Sequence, residues 1–528
     1  MDYRRIGFAV ALGVYGIYAL RYIFAASVSE GGERWFLLWD DAMISMQYGR
    51  NLAEGHGWVW NAGGEAVQGF TNFGVTLLMA GLHTLPLPEP MVALAFQLLN
   101  LAVLIGILFG IHRLAGLVFP GKTRVADAAA ILTGLYGPLA IWGLQGADFA
   151  IQAGIALVAV LGVVRARKEG RAPSIAVFVW LSVGILVRED FALVFATVWI
   201  WCAAFAFPDW KAAIAPAAVG VLTVTFLLVF SIAIFGDPLP NTYYLKATGN
   251  PRLSMWVTGA SQLLSFYPGI SALVLVAFVV LGARLLFRDP DRVFLLLVSM
   301  VLVQFAYFVW VGGDWVVEHT SRYLMVAMPF FILVIAGGSA ELLARSGLRE
   351  NAVNGVFWVQ MALFVWFLNP PETLREWHLA QREPMYRAEN AANLHMGHAI
   401  CDATTPDTKV GIFWAGLTPY VCPREYIDVF GRTDSHIAHR QMESFAGGPG
   451  HAKTDWEYIF ENSRPDVLTT FTPQLQRRGD FSSLYCVARL NESRVVIPVR
   501  KDSLQRLREE NRILCDATNY PRCIPCGL

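Results

Sequence analysis

Charged residues are scarce in this chain. Its 528 residues include 41 Lys and Arg and 41 Asp and Glu, or 16% charged residues, whereas a soluble protein has about a quarter. The deficit lies before residue 369, where apolar runs near the ~20 residues that cross a bilayer follow one another. The composition excludes a soluble protein and predicts a polytopic membrane protein with a soluble tail. The formal net charge of zero says little about partners, because the location of the charges matters more. We predict membrane lipid as a partner and no nucleic acid.

Two further features are missing. The sequence has no credible Walker or Rossmann motif, the Gly-rich turns that hold nucleotide phosphates, so a nucleotide-linked substrate is not indicated. Cysteine is nearly missing before residue 369, where Cys202 stands alone. The other six cysteines lie in the tail, where an even number in an oxidising compartment favours disulfides over a redox or zinc half-site in "CIPC". They are Cys401, Cys422, Cys486, Cys515, Cys523 and Cys526.

Eleven apolar segments have the length of membrane-spanning helices. The first follows Arg4 and Arg5, and we interpret it as a retained signal anchor because no clean cleavage site follows it. The segment 71–85 is short and is followed by "PLPEP", so we expect it to lie at the membrane interface. The predicted spans are 6–26, 91–112, 127–143, 149–164, 173–187, 191–207, 213–235, 262–283, 293–311, 323–344 and 352–368.

The basic residues predict the orientation of these spans. With the N-terminus inside, the short cytoplasmic segments carry 15 basic residues and the opposite segments carry 6. Basic residues stay on the cytoplasmic side during insertion, so this asymmetry favours eleven crossings and an outside tail. We therefore expect a protein of the bacterial inner (plasma) membrane. Residues 1–368 form the transmembrane domain, with 27–90 as a first periplasmic loop that carries juxtamembrane helices.

The tail, residues 369–528, is long enough for one domain with its own core. Its segments "TKVGIFWAG", "EYIDVFG", "PDVLTTF" and "RVVIPVR" are typical of strands, and helical patterns lie between them. The predicted fold class is thus a polytopic α-helical membrane protein with a C-terminal periplasmic α/β domain. The Trp and Tyr residues of this domain are predicted to stack on an acceptor glycan.

Polar residues from five separate loops are predicted to share the outer face of the membrane. Charges at the depth of the almost loopless triplet Arg188-Glu189-Asp190 cost several kcal/mol unless they are paired or face a wet cavity. A cavity open to the outer face and lined by carboxylates and cations explains the pattern. The residues concerned are Asp40, Asp41, Asp148, Arg188, Glu189, Asp190, Asn241, Tyr243, Lys246, Asp314, His319 and Arg322.

Each of these residues also has a purely structural interpretation. Asp40 or Asp41 could cap the helix predicted over 42–53, and Asp148 could cap the helix that starts at Phe149. Arg188 and Asp190 could form a structural ion pair. Capping by one aspartate of the first pair leaves the other available for a second role.

The predicted cavity has the groups needed for sugar transfer from a lipid-linked donor. A carboxylate at the interface can act as general base toward a sugar hydroxyl. A nearby Arg or Lys can hold the donor phosphate, whose leaving group needs no acid to protonate it. Such a donor keeps its lipid tail in the bilayer and presents its sugar to the aqueous face.

The stretch "DDAMISMQYGRNLAEGHGWVWNAGGEAVQGFTN" resembles the first outer loop of GT-C glycosyltransferases, and is most similar to relatives of the mycobacterial terminal arabinofuranosyltransferase. Family patterns are D-D-[AS]-[FY]-I-[ST] at its start and G-x-x-x-x-G-[FY]-[ST]-N at its end. The resemblance continues through "GLQGADFAI", "ILVREDFAL", "PLPNTYYLKATG" and "VGGDWVVEHTSRYLMVAMP", and reaches the tail in "GLTPYVCPREYIDVFGRTDSHIA". At Asp148 the family more often has Glu-Thr, and the spacer before Arg322 differs too.

The resemblance implies transfer of a sugar, arabinofuranose or another pentose or hexose, from a polyprenyl-phosphate donor to an extracytoplasmic glycan. The family's catalytic base maps onto Asp41 or Asp40, with Asp41 preferred, and Lys246, Arg322 and Arg188 are the candidates for the donor phosphate. The resemblance and the shared face together predict substrate contacts for Glu189, Asp148, Asn241, Tyr243, Asp314 and His319.

Some family members use a divalent cation, which Asp40 and Asp41 could ligate. No further acid stands in clear register, so we assign no metal ligand. The alternative function is a transporter or flippase of a lipid-linked or anionic substrate. A transporter is expected to have mid-membrane polar residues and broken helices in two matching halves, whereas the ionisable residues here gather at one face.

Overall fold

The computed structural model describes residues 3–248, 252–266, 292–314, 322–441, 450, 453–470, 475, 477–490, 495–509 and 513–514. A bundle of apolar helices occupies the first 368 residues, and a mixed sheet with flanking helices follows it. The predicted fold class, a polytopic α-helical membrane protein with a C-terminal α/β domain, is confirmed, and the periplasmic side of that domain stays a prediction. Cys515, Cys523, Cys526 and His319 lie outside the described residues.

Among the described residues, six helices of 18 residues or more are apolar enough to cross a membrane, and the chain is a multi-pass membrane protein. The helices of this part are α1 (Tyr3–Ala26), α2 (Asp40–Ala53), α3 (Phe73–His83), α4 (Glu89–Val118), α5 (Thr123–Leu135), α6 (Gly137–Leu144), α7 (Phe149–Lys168), α8 (Ile175–Val187), α9 (Ala192–Phe205), α10 (Ile214–Phe235), α11 (Asn241–Ala247), α12 (Arg252–Phe266), α13 (Val293–Trp310), α14 (Met328–Ala344) and α15 (Glu350–Leu368). The six are α1, α4, α7, α13, α15 and the combination of α10 with the 3₁₀ turn before it.

The predicted spans match these helices with shifted ends, and the count of eleven crossings stays a prediction. The span predicted over 262–283 corresponds to α12 only in its first residues, because α12 begins at Arg252 and residues 267–291 lie outside the described part. The span predicted over 323–344 is a 3₁₀ turn, Arg322–Leu324, followed by α14. Arg322 therefore lies in a turn before α14 and not in the helix itself.

The span predicted over 127–143 is broken into α5 and α6, which meet at an angle of 50°. Pro138 near the start of α6 has no N–H to continue the hydrogen bonding of α5. Asn369, just after α15, repairs the break: its Nδ2 donates to the Leu135 carbonyl at 3.0 Å, and its Oδ1 accepts from the Gly137 N–H at 2.8 Å. All eight residues of α6 are buried, so the break sends a helix into the core.

Two short helices of the first loop, α2 and α3, pack against each other. A Cβ on Gly49 of α2 would lie 2.9–3.0 Å from the Met79 and Ala80 backbone of α3, so only glycine allows this approach. At 1.5 Å per residue α3 is about 16 Å long, about half of the hydrocarbon thickness. This length agrees with the interfacial position expected for 71–85.

The strands β1 (Val28–Glu30) and β2 (Glu33–Trp35) form an antiparallel pair in the first loop. The tail contains a six-stranded sheet with the order β4-β3-β5-β7-β6-β8 in its described part. The pairs β3–β4 and β3–β5 are parallel, and the pairs β5–β7, β6–β7 and β6–β8 are antiparallel. The four predicted strands are present, and β6 in "YCVARL" was not predicted. The tail elements are α16 (Arg387–Ala403), β3 (Lys409–Ile412), α17 (Leu417–Val421), β4 (Glu425–Asp428), α18 (Ser435–His439), β5 (Val467–Leu468), β6 (Tyr485–Leu490), β7 (Val496–Arg500), α19 (Lys501–Glu509) and β8 (Ile513–Leu514).

The tail cysteines bear out the prediction of disulfides where the structure describes them. Cys401 in α16 is bonded to Cys422, which follows α17, and their Cα atoms are 5.5 Å apart. Cys486 is disulfide-bonded as well. The bond between Cys401 and Cys422 ties α17 to α16, next to the loop that contacts the membrane domain.

Candidate active site

One cavity of about 410 Å³ brings together residues from loops that are far apart in sequence. It lies where the start of α2, the α8–α9 turn, α11 and the segments after α13 meet the tail. Of the eleven predicted site residues, eight line this cavity: Asp41, Asp148, Arg188, Glu189, Tyr243, Lys246, Asp314 and Arg322.

Asp41 presents its carboxylate to the cavity from the first turn of α2, with 46% of its side chain exposed. Its Oδ2 lies 3.9 Å from Nη1 of Arg322, and its Oδ1 lies 3.9 Å from Nη1 of Arg432. These distances exceed the ~2.8 Å of a charge-assisted hydrogen bond, so the carboxylate stands between two cations without bonding either directly. It remains able to accept a hydrogen bond from a bound hydroxyl.

Arg322 is held rigidly on the far side of Asp41. Its Nε and Nη2 donate to Oδ2 and Oδ1 of Asp314 at 2.9 and 3.0 Å, a bidentate pair. The rings of Trp39 and Trp142 lie 4.4 and 5.0 Å from its guanidinium carbon. Trp142 belongs to α6, so the broken membrane helix supplies one wall of this arginine's pocket.

Arg188 occupies the neighbouring part of the cavity and bridges two carboxylates. Its Nε lies 2.9 Å from Oδ2 of Asp190, and its Nη1 lies 3.5 Å from Oδ2 of Asp148. The Tyr307 hydroxyl donates to the same Asp190 oxygen at 3.0 Å, and the Phe149 ring lies 4.9 Å from the guanidinium carbon. The ion pair expected between Arg188 and Asp190 is present, and the residues around it belong to the cavity wall.

Glu189 differs from the other acids of the cavity. Within the described ranges its carboxylate has no ion pair or hydrogen bond, although its neighbours Arg188 and Asp190 are paired. Burial and then the adjacent Asp190 carboxylate raise the pKa of Glu189 to about 7, against the lowering effect of Arg188. Glu189 therefore changes charge near neutral pH.

The α11 side of the cavity carries the remaining cations. Lys246 and Tyr243 face the cavity from α11, and Arg252, at the start of α12, lines it with its guanidinium carbon 5.3 Å from the Trp310 ring. Asn241 does not line the cavity: its Nδ2 donates to the Gly431 carbonyl in the tail at 3.2 Å, and its N–H donates to the Gln68 carbonyl at 3.0 Å.

Asp40 points away from the cavity and joins α2 to the tail. Its Oδ1 accepts hydrogen bonds from the N–H groups of Gly416 and Leu417, both at 3.2 Å, and its Oδ2 lies 3.7 Å from Nη1 of Arg432. Burial, together with the adjacent Asp41 carboxylate, raises the pKa of Asp40 to about 6 against the lowering effects of Arg432 and the two N–H donors. The two adjacent aspartates thus face different partners.

The capping roles considered for these aspartates are wrong. The helix α2 begins at Asp40, with Trp39 as the N-cap residue and no side-chain cap hydrogen bond. Asp148 is the N-cap residue of α7, but its side chain caps nothing and contacts Arg188 instead. The Asp40 carboxylate accepts hydrogen bonds from tail N–H groups and the Asp148 carboxylate contacts Arg188, and neither bonds to the N–H groups of the helix that it begins or precedes.

Arg432 and Arg252 were not predicted as site residues. Arg432 comes from the tail, where it follows β4, and only 5% of it is exposed. One signal for Arg432 was available in the sequence. The residue follows the carboxyl end of β4, which is parallel to β3, and side chains at the carboxyl ends of parallel strands lie at the same edge of the sheet. Arg252 stood in a polar stretch that gave no such signal.

Apart from Glu189, the carboxylates of the cavity lie within 4 Å of an arginine nitrogen. Across the ranges that the structure describes, no group of three or more His, Cys, Asp or Glu side chains is arranged to hold a metal ion. Asp40 and Asp41 both face Arg432, whose positive charge opposes a cation at the same place.

Comparison with known proteins gives the fold. ArnT from Cupriavidus metallidurans in the apo state is 13% identical, with a TM-score of 0.53, over 94% of this chain and 98% of that chain. The same protein bound to undecaprenyl phosphate is 14% identical, with a TM-score of 0.53, over 93% and 98%. Archaeal oligosaccharyltransferase AglB from Archaeoglobus fulgidus, in complex with an inhibitory peptide and a dolichol-phosphate, is 10% identical, with a TM-score of 0.54, over 95% and 75%.

ArnT and AglB are GT-C membrane glycosyltransferases, and this chain has the GT-C fold. A family model described as a domain of unknown function (DUF8728) matches residues 378–507, which lie in the tail. Comparison with curated protein sequences gives no significant match.

Proposed function

We propose that this protein is a glycosyltransferase that transfers a sugar from a polyprenyl-phosphate donor to an extracytoplasmic glycan. The proposal is carried by one observation: the half-exposed carboxylate of Asp41 shares a cavity with Lys246, Arg252 and three further arginines. Such a site offers a base for a hydroxyl and cations for a phosphate within one enclosed space.

Asp41 is the general base of the proposed reaction. Its carboxylate takes the proton of the acceptor hydroxyl while the hydroxyl oxygen forms a bond to the anomeric carbon of the donor sugar. The bond between that carbon and the phosphate oxygen breaks, and polyprenyl phosphate leaves with the electron pair. Asp41 is preferred over Asp40 because the Asp40 carboxylate is used by the tail and does not line the cavity.

Lys246 and Arg252 are the proposed donor-phosphate ligands. Both line the cavity on the α11–α12 side. Arg188 and Arg322, which are paired with carboxylates, line it too. Arg188 and Arg322 then stabilise the developing negative charge through their fixed positions.

The fold supports a lipid-phosphate donor. ArnT binds undecaprenyl phosphate and AglB binds dolichol-phosphate, and both have the architecture of this chain. Arg432 and Gly450 of the tail line the cavity, which fits an acceptor that also contacts the tail. With the tail outside, as the basic residues predict, the reaction takes place at the outer face of the inner membrane.

The test is turnover of a polyprenyl-phosphate sugar by purified membranes that contain the wild-type protein or the Asp41→Asn variant. We expect turnover to fall by a factor of ~100 or more, since removal of a general base costs two to four orders of magnitude. Binding of undecaprenyl phosphate is expected to persist. Asp127→Asn, a change at a half-exposed residue paired with His112 away from the cavity, is the control. Full activity in Asp41→Asn at normal expression would contradict the proposal.

A further inference from the structure

The helix α11, which carries Lys246, is bound to the tail domain as well as to the membrane domain. It packs against α18 of the tail, and the Tyr244 ring lies 4.0 Å from the His439 ring. Asn241 at its first residue donates to the Gly431 carbonyl. The tail therefore contacts both ends of the element that forms the cation-bearing wall of the cavity.

Lys453 makes the strongest of these contacts. Only 3% of this residue is exposed, and its Nζ donates to the Tyr244 carbonyl at 3.0 Å, the Thr248 Oγ1 at 2.9 Å and the Ala438 carbonyl at 2.8 Å. An ammonium group has three N–H donors, so all of them are used. Two of the acceptors belong to the α11 segment and one belongs to the tail.

The chemistry of a helix end explains why a lysine is suited to this position. The last carbonyls of a helix lack partners within the helix and carry the negative end of its dipole, so a cation there supplies donors and a favourable charge. The helix α11 has only seven residues, too few to be stable alone. Its conformation therefore depends on the groups that hold its ends.

The tail also lies against the stem of Lys246 itself. A Cβ placed on Gly450 would be 3.4 Å from Cε of Lys246, so the backbone at Gly450 borders this side chain. Gly450 and Lys453 are three positions apart in the same stretch of the tail. One segment thus fixes the end of α11 and borders the lysine that α11 presents to the cavity.

We propose that Lys453 is a positioning residue by which the tail domain holds α11, and thereby Lys246, in place to bind the donor phosphate. The region matched by the model of a domain of unknown function would then be part of the donor site. The phosphate ligand named here rests on the proposed function, whereas the hold of the tail on α11 is independent of it.

The experiment measures hydrogen exchange of the full-length protein in detergent, in peptides that cover 241–248 and in peptides from the tail sheet. We expect Lys453→Met to increase exchange in 241–248 by about tenfold, the effect of losing charged hydrogen bonds. Thr248→Ala removes one acceptor on the α11 side without touching the tail and is expected to give a smaller increase in the same peptide. Lys409→Met, at a half-exposed lysine paired with Glu425, is the matched control.

Unchanged exchange of 241–248 in both Lys453→Met and Thr248→Ala would overturn the inference. If Lys453→Met loosens the whole tail, the result for Thr248→Ala decides, because that variant leaves the tail intact. A second measurement uses undecaprenyl phosphate, the leaving group of the proposed reaction, as the probe: Lys453→Met is expected to raise its Kd by about tenfold, whereas Lys409→Met is expected to leave it unchanged. If the wild type itself fails to bind undecaprenyl phosphate, the proposed function fails, and the exchange data still decide the role of Lys453.

Discussion

The Oδ1 atom of Asp40 accepts a hydrogen bond from the N–H of Gly416 at 3.2 Å, across 376 positions of sequence. This bond places the first turn of α2, which carries Asp41, directly against the tail. A second N–H, that of Leu417, shares the same oxygen. The position of the proposed base is therefore determined by both domains.

Gly416→Ala is expected to separate the tail from α2. A Cβ at this position would overlap the carbonyl oxygen of Asp40 and lie 2.8 Å from its Oδ1, and these atoms belong to a helix that cannot shift freely. Limited proteolysis should cleave the variant between α15 and the tail sheet faster than the wild type. Gly355→Ala, in α15 with no atom within 4 Å of its Cβ, is the control that should behave as wild type.

Asp40→Asn is expected to flatten the dependence of stability on pH. The pKa of Asp40 is raised from 3.8 to about 6, so the folded protein binds a proton more tightly than the unfolded chain. The stabilisation is complete below about pH 4 and is lost as pH rises through about 6, by ~3 kcal/mol in total. Asn retains an oxygen for the Gly416 and Leu417 N–H groups and does not ionise.

Thermal unfolding of both forms in detergent, at values below, within and above this window, measures the effect. The wild type should lose apparent Tm across the window, and Asp40→Asn should not. An equal loss in both forms would show that another group is responsible.

Asp314→Asn is expected to destabilise the protein and to reduce turnover. The change removes one of two hydrogen bonds to a buried guanidinium and leaves the charge of Arg322 without its bidentate partner, at a cost of about 3 kcal/mol. Arg322 is then free to approach Asp41, which lies 3.9 Å away, and to occupy its carboxylate. Calorimetry and turnover, compared with Asp127→Asn, check both effects. Turnover equal to that of the wild type would mean that the orientation of Arg322 is irrelevant.

Glu189→Gln is expected to remove a pH dependence of donor binding. With a pKa of about 7, Glu189 becomes neutral as pH falls from 8 to 6, and the cavity gains one positive charge. A polyprenyl phosphodiester keeps its single charge over this range, so the wild type should bind it roughly tenfold more tightly at the lower pH, an effect of ~1.4 kcal/mol. The variant should bind at both values like the wild type at low pH. Isothermal titration at the two values gives the answer, and a wild type without any pH dependence would refute the role of Glu189.

The sequence allowed the cavity charges to be found because the distribution of Lys and Arg in short loops predicts which loops share one side of the membrane. Because loops on the same side of a helix bundle lie near one another, the sequence could predict that Asp41, Arg188 and Lys246 share one site. All three line the cavity. Periodicity also located the strands β3, β4 and β7 in the tail.

Contacts between the tail and the membrane domain could not be predicted from the sequence. Arg432 and Lys453 act on the membrane domain through atoms that are about 200 or more positions away, and no local pattern marks such partners. The capping roles assigned to Asp40 and Asp148 failed for the same reason, because distant amides and guanidiniums competed successfully with the adjacent helix. Gly137 and Pro138 mark the bend between α5 and α6 in the sequence. The prediction missed the bend because the apolar run around these residues has the length of one membrane-spanning helix.

Asn369 links the order of synthesis to the assembly of this site. The residue completes the hydrogen bonding at the start of α6 from a position 232 residues later in the chain. The Gly137 N–H therefore gains this acceptor only after α15 has been synthesised. The helix α6, with the Trp142 ring that contacts Arg322, takes its final position at that stage. The cavity is among the last parts of the newly made protein to take its final form.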